Sequence, residues 1–290
     1  MTETHLGPAL LYTPADRPER YTKAWATGAA DIVCADLEDA VAPARRPEAR
    51  RMVREALGQG PPARPGTLRA VRINPWPHAE ADLDEVLPGG PDLLVVPKVE
   101  DAEALAAVAR RAGELAAAHG HAPPRLVAIL ETARGVADAR TLLRAHPAVV
   151  ACCFGAEDLA ADMGLRRTAA NAEVLAARQW VALAAAAAGL PAYDMIVADV
   201  RDVARCRREA EEARGWGYAG KMCIHPHQAA AVRQAFEPSA EEVAWARRVV
   251  EAAQRGGIES GGVAVVDGGM VDVPVIRRAR RTLARATPAG

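Results

Sequence analysis

Apolar residues in this chain gather in short β-rich runs, separated by segments whose apolar positions recur every three or four residues. The runs are Ala9–Tyr12, Asp31–Ala35, Leu68–Ile73, Leu93–Val96, Leu126–Leu130, Val149–Phe154, Tyr193–Val197 and Gly220–Ile224. Between them, Asp101–His119 carries Leu105, Val108 and Leu115 on one stripe. Thr168–Ala188 and Arg201–Arg214, the latter closed by Gly215, have the same helical period. Strands alternating with helices imply parallel strands joined by crossovers. About eight such units in 290 residues predict an α/β fold, a (β/α)8 TIM barrel. The barrel pattern ends near Pro226, so residues 1–237 are expected to form the catalytic domain and 238–290 a C-terminal helical extension. Ser239 and Glu242 have capping-box spacing at the start of that extension. A helix to about Arg255, a glycine-rich stretch at 256–269 and a final basic helix follow. So short a tail is expected to pack on the barrel or on a neighbouring subunit.

Composition narrows the function classes. Half the residues are hydrophobic, enough for a sizeable core, and the net charge of −1 argues against nucleic acid as a partner. No uncharged apolar run reaches the roughly 18 residues of a membrane span. Residues 1–8 lack a basic segment followed by an apolar one, so no signal peptide is expected and the chain reads as cytoplasmic. The cysteines, Cys34, Cys152, Cys153, Cys206 and Cys223, form no Cys-x-x-Cys pair and are expected to be buried free thiols.

The strand ends are polar in a way that caps alone do not explain. The second run ends in Asp36-Leu37-Glu38-Asp39, the third carries Arg72, and the fourth ends in Pro97-Lys98-Val99-Glu100. The fifth ends in Glu131, the sixth in Gly155-Ala156-Glu157-Asp158, and the eighth in His225-Pro226-His227. In a barrel these points share the face where active sites are built. Glu131 and Asp158, side by side, suit a hard cation such as Mg²⁺. N-capping is the alternative, and it suits Asp158 better than Glu131. Arg72 is either a partner of the Asp36–Glu38–Asp39 cluster or a clamp on a substrate oxyanion, and both roles can hold together. Lys98 is expected to form an ion pair with Glu38 or Glu131 rather than a Schiff base. His225 and His227 are expected to serve loop structure or substrate contact rather than a metal. Arg17, Arg20 and Lys23 form one basic face, a solvated surface or a seat for an anionic ligand. No dinucleotide fingerprint and no nucleophile elbow are present.

These motifs, together with Tyr12-Thr13-Pro14-Ala15-Asp16-Arg17, Val71-Arg72-Ile73-Asn74, Glu131-Thr132-Ala133-Arg134-Gly135, Gly220-Lys221-Met222-Cys223-Ile224-His225-Pro226 and Asp267–Pro274, closely resemble the HpcH/HpaI aldolase/citrate lyase family. Within it, the chain is similar to the citrate lyase β-subunit-like branch, which is related to malyl-CoA and citramalyl-CoA lyases. The resemblance implies Mg²⁺, or Mn²⁺, on Glu131 and Asp158. It implies Arg72 as the catalytic contact to the keto acid. Backbone N–H groups of Ala156, Glu157 and Asp158 would hold a substrate carboxylate. Tyr12, Lys23, Ile224 and His225 would border coenzyme A. Asp272, supplied by an adjacent subunit, would be the acid/base. Asp36, Glu38 and Lys98 are the supporting charges. A homotrimer or hexamer is implied, with an acyl-CoA or acyl-carrier-protein thioester as substrate and a 2-keto acid as product. The expected reaction is Mg²⁺-dependent cleavage of a 3-hydroxyacyl thioester. The alternatives are an aldolase acting on free keto acids and a non-catalytic acyl-CoA-binding subunit. The basic N-terminal segment and the tail around Asp272 speak against the first. The presence of Arg72, Glu131, Asp158 and Asp272 speaks against the second.

Overall fold

A computed structural model describes residues 6–258 and 261–286 of the chain. Residues 1–5, on which the signal-peptide expectation partly rests, lie outside the described residues. Eight parallel strands close into a barrel in chain order. They are β1 (Ala9–Pro14), β2 (Ile32–Asp36), β3 (Leu68–Arg72), β4 (Leu93–Val96), β5 (Arg125–Leu130), β6 (Val149–Phe154), β7 (Ala192–Asp194) and β8 (Gly220–Cys223). With helices between successive strands, this is a (β/α)8 barrel. The strands are apolar almost throughout because both faces are covered. Leu10, Ile32, Cys34, Ala70, Val95, Val127, Ile129, Ala151, Cys153 and Tyr193 pack together in one cluster.

Local signals hold at several helix ends. Asp101 caps the Ala102–Ala118 helix by accepting from the Ala104 N–H at 2.8 Å. The expected helix from Thr168 begins later, as a 3₁₀ turn at Ala172–Val174 running into Leu175–Ala188. The Glu173 carboxylate accepts from both the N–H and the hydroxyl of Thr168, and Asn171 has a φ of 54°, so the preceding residues form a turn instead. The seventh strand is also shorter than the apolar run. It stops at Asp194, whose carboxylate is drawn into a buried ion network described below, and Val197 O accepts from the Gln228 side chain instead of a strand neighbour. All five cysteines are free and buried. Burial alone pushes the Cys152 thiol up to about 12, so it is inert as a nucleophile. Among the described residues no helix is long and apolar enough to cross a membrane.

The chain divides into two compact units, Met1–Gln234 and Ala235–Gly290. In the second, the Ala240–Gly256 helix opens with the capping box anticipated from Ser239 and Glu242, both reciprocal bonds being present. It packs against the Val273–Ala286 helix and a two-stranded antiparallel ribbon, β9 (Ala264–Val266) and β10 (Gly269–Val271). Val249, Ala253, Val271, Ile276 and Ala279 form the core of this unit.

Candidate active site

Strand register decides which side chains meet at the mouth of the barrel. Asp36 and Arg72 are direct partners across β2 and β3. The Asp36 carboxylate accepts from Arg72 Nε at 2.7 Å and from Nη2 at 2.5 Å, a bidentate pair. Arg72 Nη1 stands 2.9 Å from Glu38 Oε2, which is buried yet has no hydrogen-bonded partner among the described residues. That guanidinium corner is thus paired by charge with Glu38, and with Asp39 at 3.7 Å, and not by the bidentate hydrogen bonds that fix the Asp36 side. Burial would lower the Arg72 pKa, but the Asp36 hydrogen bonds and charge raise it, so the group stays cationic. Beneath it lies the Tyr12 ring, its centroid 5.1 Å from the guanidinium carbon. The Tyr12 hydroxyl points to Met222 Sδ, 3.3 Å away.

The carboxylate pair comes from β5 and β6. Their register matches Leu130 with Phe154, so Glu131 and Gly155 follow as neighbours just beyond the strands. Glu131 is 2 % exposed, and its Oε1 accepts from the Lys98 backbone N–H at 2.8 Å. Gly155 makes this possible. A Cβ at 155 would lie 2.5 Å from Glu131 Oε2, although a φ of −98° would suit any residue, so glycine is needed for space and not for backbone freedom. Asp158 sits in the first turn of the Ala156–Asp162 helix, whose N-terminus has no side-chain cap. This leaves the first-turn N–H groups of Ala156, Glu157 and Asp158 directed out of the helix end. Thr132, not Glu131, caps the Ala133–Ala137 helix. The capping alternative therefore fails for both acids.

Of the two expected ion pairs, Lys98 forms the one with Glu38, and it meets Glu131 through its backbone instead. Its ammonium hydrogen-bonds Glu38 Oε1 and lies 3.7 Å from Asp158 Oδ1, while its backbone binds Glu131. The carboxyls here carry uncompensated repulsion. Burial, then the charges of Asp158 and Glu38, push Glu131 up to about 8. Glu38 is also raised, chiefly by burial, against the opposing pull of Arg72 and Lys98.

The other expected residues are placed as follows. Lys23 is exposed on the Pro18–Thr27 helix. Ile224 and His225 follow β8, and His225 Nδ1 accepts from the His227 N–H at 3.2 Å with the two rings edge to face. Asp272 belongs to the second unit, where its Oδ1 accepts from Val275 N–H at 3.2 Å at the start of the last helix. Gly155 escaped the sequence reading. Its only signal was a lone glycine placed where two carboxylates converge.

The HpcH/HpaI aldolase/citrate lyase sequence profile matches residues 9–226. The chain belongs to this family. Relatives include a citrate lyase subunit beta-like protein of Mycobacterium tuberculosis, 37 % identical over 97 % of this chain and 96 % of that protein. The human mitochondrial citramalyl-CoA lyase is 32 % identical over 96 % of this chain and 85 % of its own. A crystal structure of M. tuberculosis CitE in complex with magnesium, acetoacetate and coenzyme A superposes with a TM-score of 0.79. It is 38 % identical and covers 98 % of this chain and 99 % of that one. The family assignment and the TIM barrel thus agree over the whole matched stretch.

The mouth of the barrel fits Mg²⁺. Burial first, and then the charges of Asp158 and Glu38, favour a proton on Glu131 near neutrality, a penalty that a divalent cation beside the carboxylate would relieve. Among the described residues no group of three or more His, Cys, Asp or Glu side chains is assembled for a metal. Magnesium does not need one, since it is held by one or two carboxylates together with substrate and water.

Proposed function

We propose that the chain cleaves a 3-hydroxyacyl-CoA thioester to an acyl-CoA and a 2-keto acid, with Glu131 and Asp158 holding Mg²⁺. The observation that carries this reading is the placement of Glu131 and Asp158 just beyond the neighbouring ends of β5 and β6, with Lys98 3.7 Å from Asp158 and Arg72 2.9 Å from Glu38. The magnesium, acetoacetate and coenzyme A bound by the CitE relative, the oxaloacetate and magnesium bound by the M. tuberculosis citrate lyase beta subunit, and the citramalyl-CoA lyase relative support it. Mg²⁺, when bound, supplies Lewis-acid polarisation of the oxygen that becomes the keto group.

The residues divide the remaining work. N–H groups of Ala156, Glu157 and Asp158 orient the substrate carboxylate at a helix N-terminus. Arg72, held by Asp36, donates to the reacting oxygen, a contribution of about 3 kcal/mol for one well-placed donor. As the carbon–carbon bond breaks, the hydroxyl proton passes to solvent water and the bonding pair passes to the thioester as an enolate. The enolate carbon then takes a proton, which we assign to Asp272 of an adjacent copy. A homotrimer or hexamer would bring that residue to the site and make the oligomer part of the enzyme. Tyr12, Lys23, Ile224 and His225 border the coenzyme A, and the enzyme works in the cytoplasm, where acyl-CoA is available.

The test is to offer the purified chain Mg²⁺ with citryl-, malyl- and citramalyl-CoA, and with the same acyl groups on acyl carrier protein. Keto acid should form from at least one thioester and stop on chelation. Turnover of free hydroxy-keto acids with no thioester cleaved would overturn the proposal. Asp272→Asn should abolish turnover and leave Mg²⁺ binding intact, and lost metal binding would contradict the role given to Asp272.

A further inference from the structure

Lys98 lies at the centre of the barrel mouth in an unusual backbone state. It follows β4 with a φ of 50°, the left-handed region that non-glycine residues rarely enter. Such strain persists where surrounding contacts over-determine it, and these contacts do. The Lys98 N–H fixes Glu131 Oε1 at 2.8 Å. Its ammonium meets Glu38 Oε1, and stands 3.7 Å from Asp158 Oδ1 and 3.9 Å from Asp39 Oδ1. A single residue thus holds one metal-ligand candidate through its backbone and faces the other with its side chain.

Charge makes the arrangement consequential. Asp36, Glu38, Asp39, Glu131 and Asp158 converge on Arg72 and Lys98. Arg72 is committed to Asp36 by two hydrogen bonds and is rigidly forked. The Lys98 side chain is one-third exposed, on a flexible stem that can swing toward solvent. Asp158 is exposed to a similar degree and has the ammonium, not a guanidinium, beside it.

We propose that Lys98 is a resident counter-cation of the metal seat. Its ammonium balances Glu38 and Asp158 in the metal-free protein and competes with Mg²⁺ for Asp158, while its backbone N–H keeps Glu131 in place in both states. The inference rests on the reading that Glu131 and Asp158 hold Mg²⁺. It makes Lys98 a positioning residue that lowers metal affinity in exchange for a preassembled empty site. A residue that merely shaped the ligands would do the opposite, and its loss would weaken metal binding.

The sign of that change is the test. Lys98→Met keeps the length and the backbone N–H and removes only the charge. Calorimetric titration with MgCl₂ should show binding about threefold tighter than in the parent, the scale of one partly exposed charge interaction. The metal-free variant should melt at a lower temperature than the parent, and Lys98→Arg should return both quantities toward parental values. If Lys98→Met does not fold, Lys98→Gln makes the same comparison with a donor retained toward Glu38. Unchanged or weaker Mg²⁺ binding in a folded neutral variant overturns the role given to Lys98. A parent chain that binds no Mg²⁺ overturns the metal assignment itself, so the two failures are distinguishable.

Discussion

Two clusters of charge lie at or beside the ends of barrel strands, and they are balanced in opposite ways. At the mouth, Asp36, Glu38, Glu131 and Asp158 outnumber Arg72 and Lys98, and burial together with the neighbouring acid charges pushes Glu131 up to about 8. The second cluster lies where β7 and β8 meet the Leu175–Ala188 and Val203–Gly215 helices. There Asp194 accepts from Arg178 Nε and Nη2 and from Lys221 Nζ, at 2.7, 2.8 and 2.7 Å. Glu209 accepts from Lys221, Arg205 and Asn171, and Glu212 from Arg178. Trp216 stacks on the Arg178 guanidinium at 4.5 Å. Three acids, Asp194, Glu209 and Glu212, meet three bases, Lys221, Arg178 and Arg205, and Lys221 and Asp194 are 0 % exposed. A closed network of matched charges specifies packing. An open cluster with a surplus of one sign, reachable from solvent, has work left for a ligand.

Breaking the closed network should give the largest effect. Lys221→Met leaves Asp194 and Glu209 short of a buried cation and should cost about 3–5 kcal/mol in urea unfolding, with turnover per folded molecule nearly unchanged. A mild loss of stability together with a large loss of turnover would reverse the roles given to the two clusters.

The open cluster should instead reveal itself through pH. The Glu131 pKa in the folded chain, about 8, is above its ordinary value of 4.5, so folding favours its protonated form. Its contribution to metal-free stability is complete below about pH 4.5 and is lost as the pH rises through about 8. Mg²⁺ held at Glu131, as proposed, would take the place of that proton, so the rise in Tm on adding Mg²⁺ should be greater at pH 8.5 than at pH 5. Glu131→Gln should flatten this part of the pH profile and remove the response to Mg²⁺. A Tm increment that shrinks with rising pH would separate the metal from Glu131.

A smaller effect sharpens the same contrast. Gly155→Ala puts a methyl 2.5 Å from the Glu131 carboxylate, which must move. Mg²⁺ affinity should fall by about tenfold, equivalent to about 1.4 kcal/mol. Unaltered calorimetric affinity would show that the close approach is incidental.

Much of this was legible beforehand, for a local reason. Runs such as Leu93–Val96 and Leu126–Leu130 are apolar because a parallel strand is covered on both faces, and Asp101 or Ser239 announces a helix through its own side chain. Each acid at the mouth could be located because a strand end is a position in sequence as well as in space. The seventh strand and the Thr168 helix are shorter than their apolar patterns imply, since Asp194 and Glu173 answer to partners at Lys221, Arg178 and Thr168 that hydropathy does not reveal.

By itself, then, the sequence determined the alternation that makes a barrel, the acids and bases at its mouth, and the family to which they belong. Only the tertiary structure decided which charges are spent and which remain available. Register across β2 and β3 commits Arg72 to Asp36, the bare Cα of Gly155 admits Glu131, and the left-handed Lys98 links one acid by its backbone and two others by its ammonium. The physical reason is that charge balance is a sum over neighbours in space. Asp194 and Asp158 are both acids at or just beyond a strand end, and two buried bases around the one, against a shared lysine beside the other, separate an acid spent on packing from one left available.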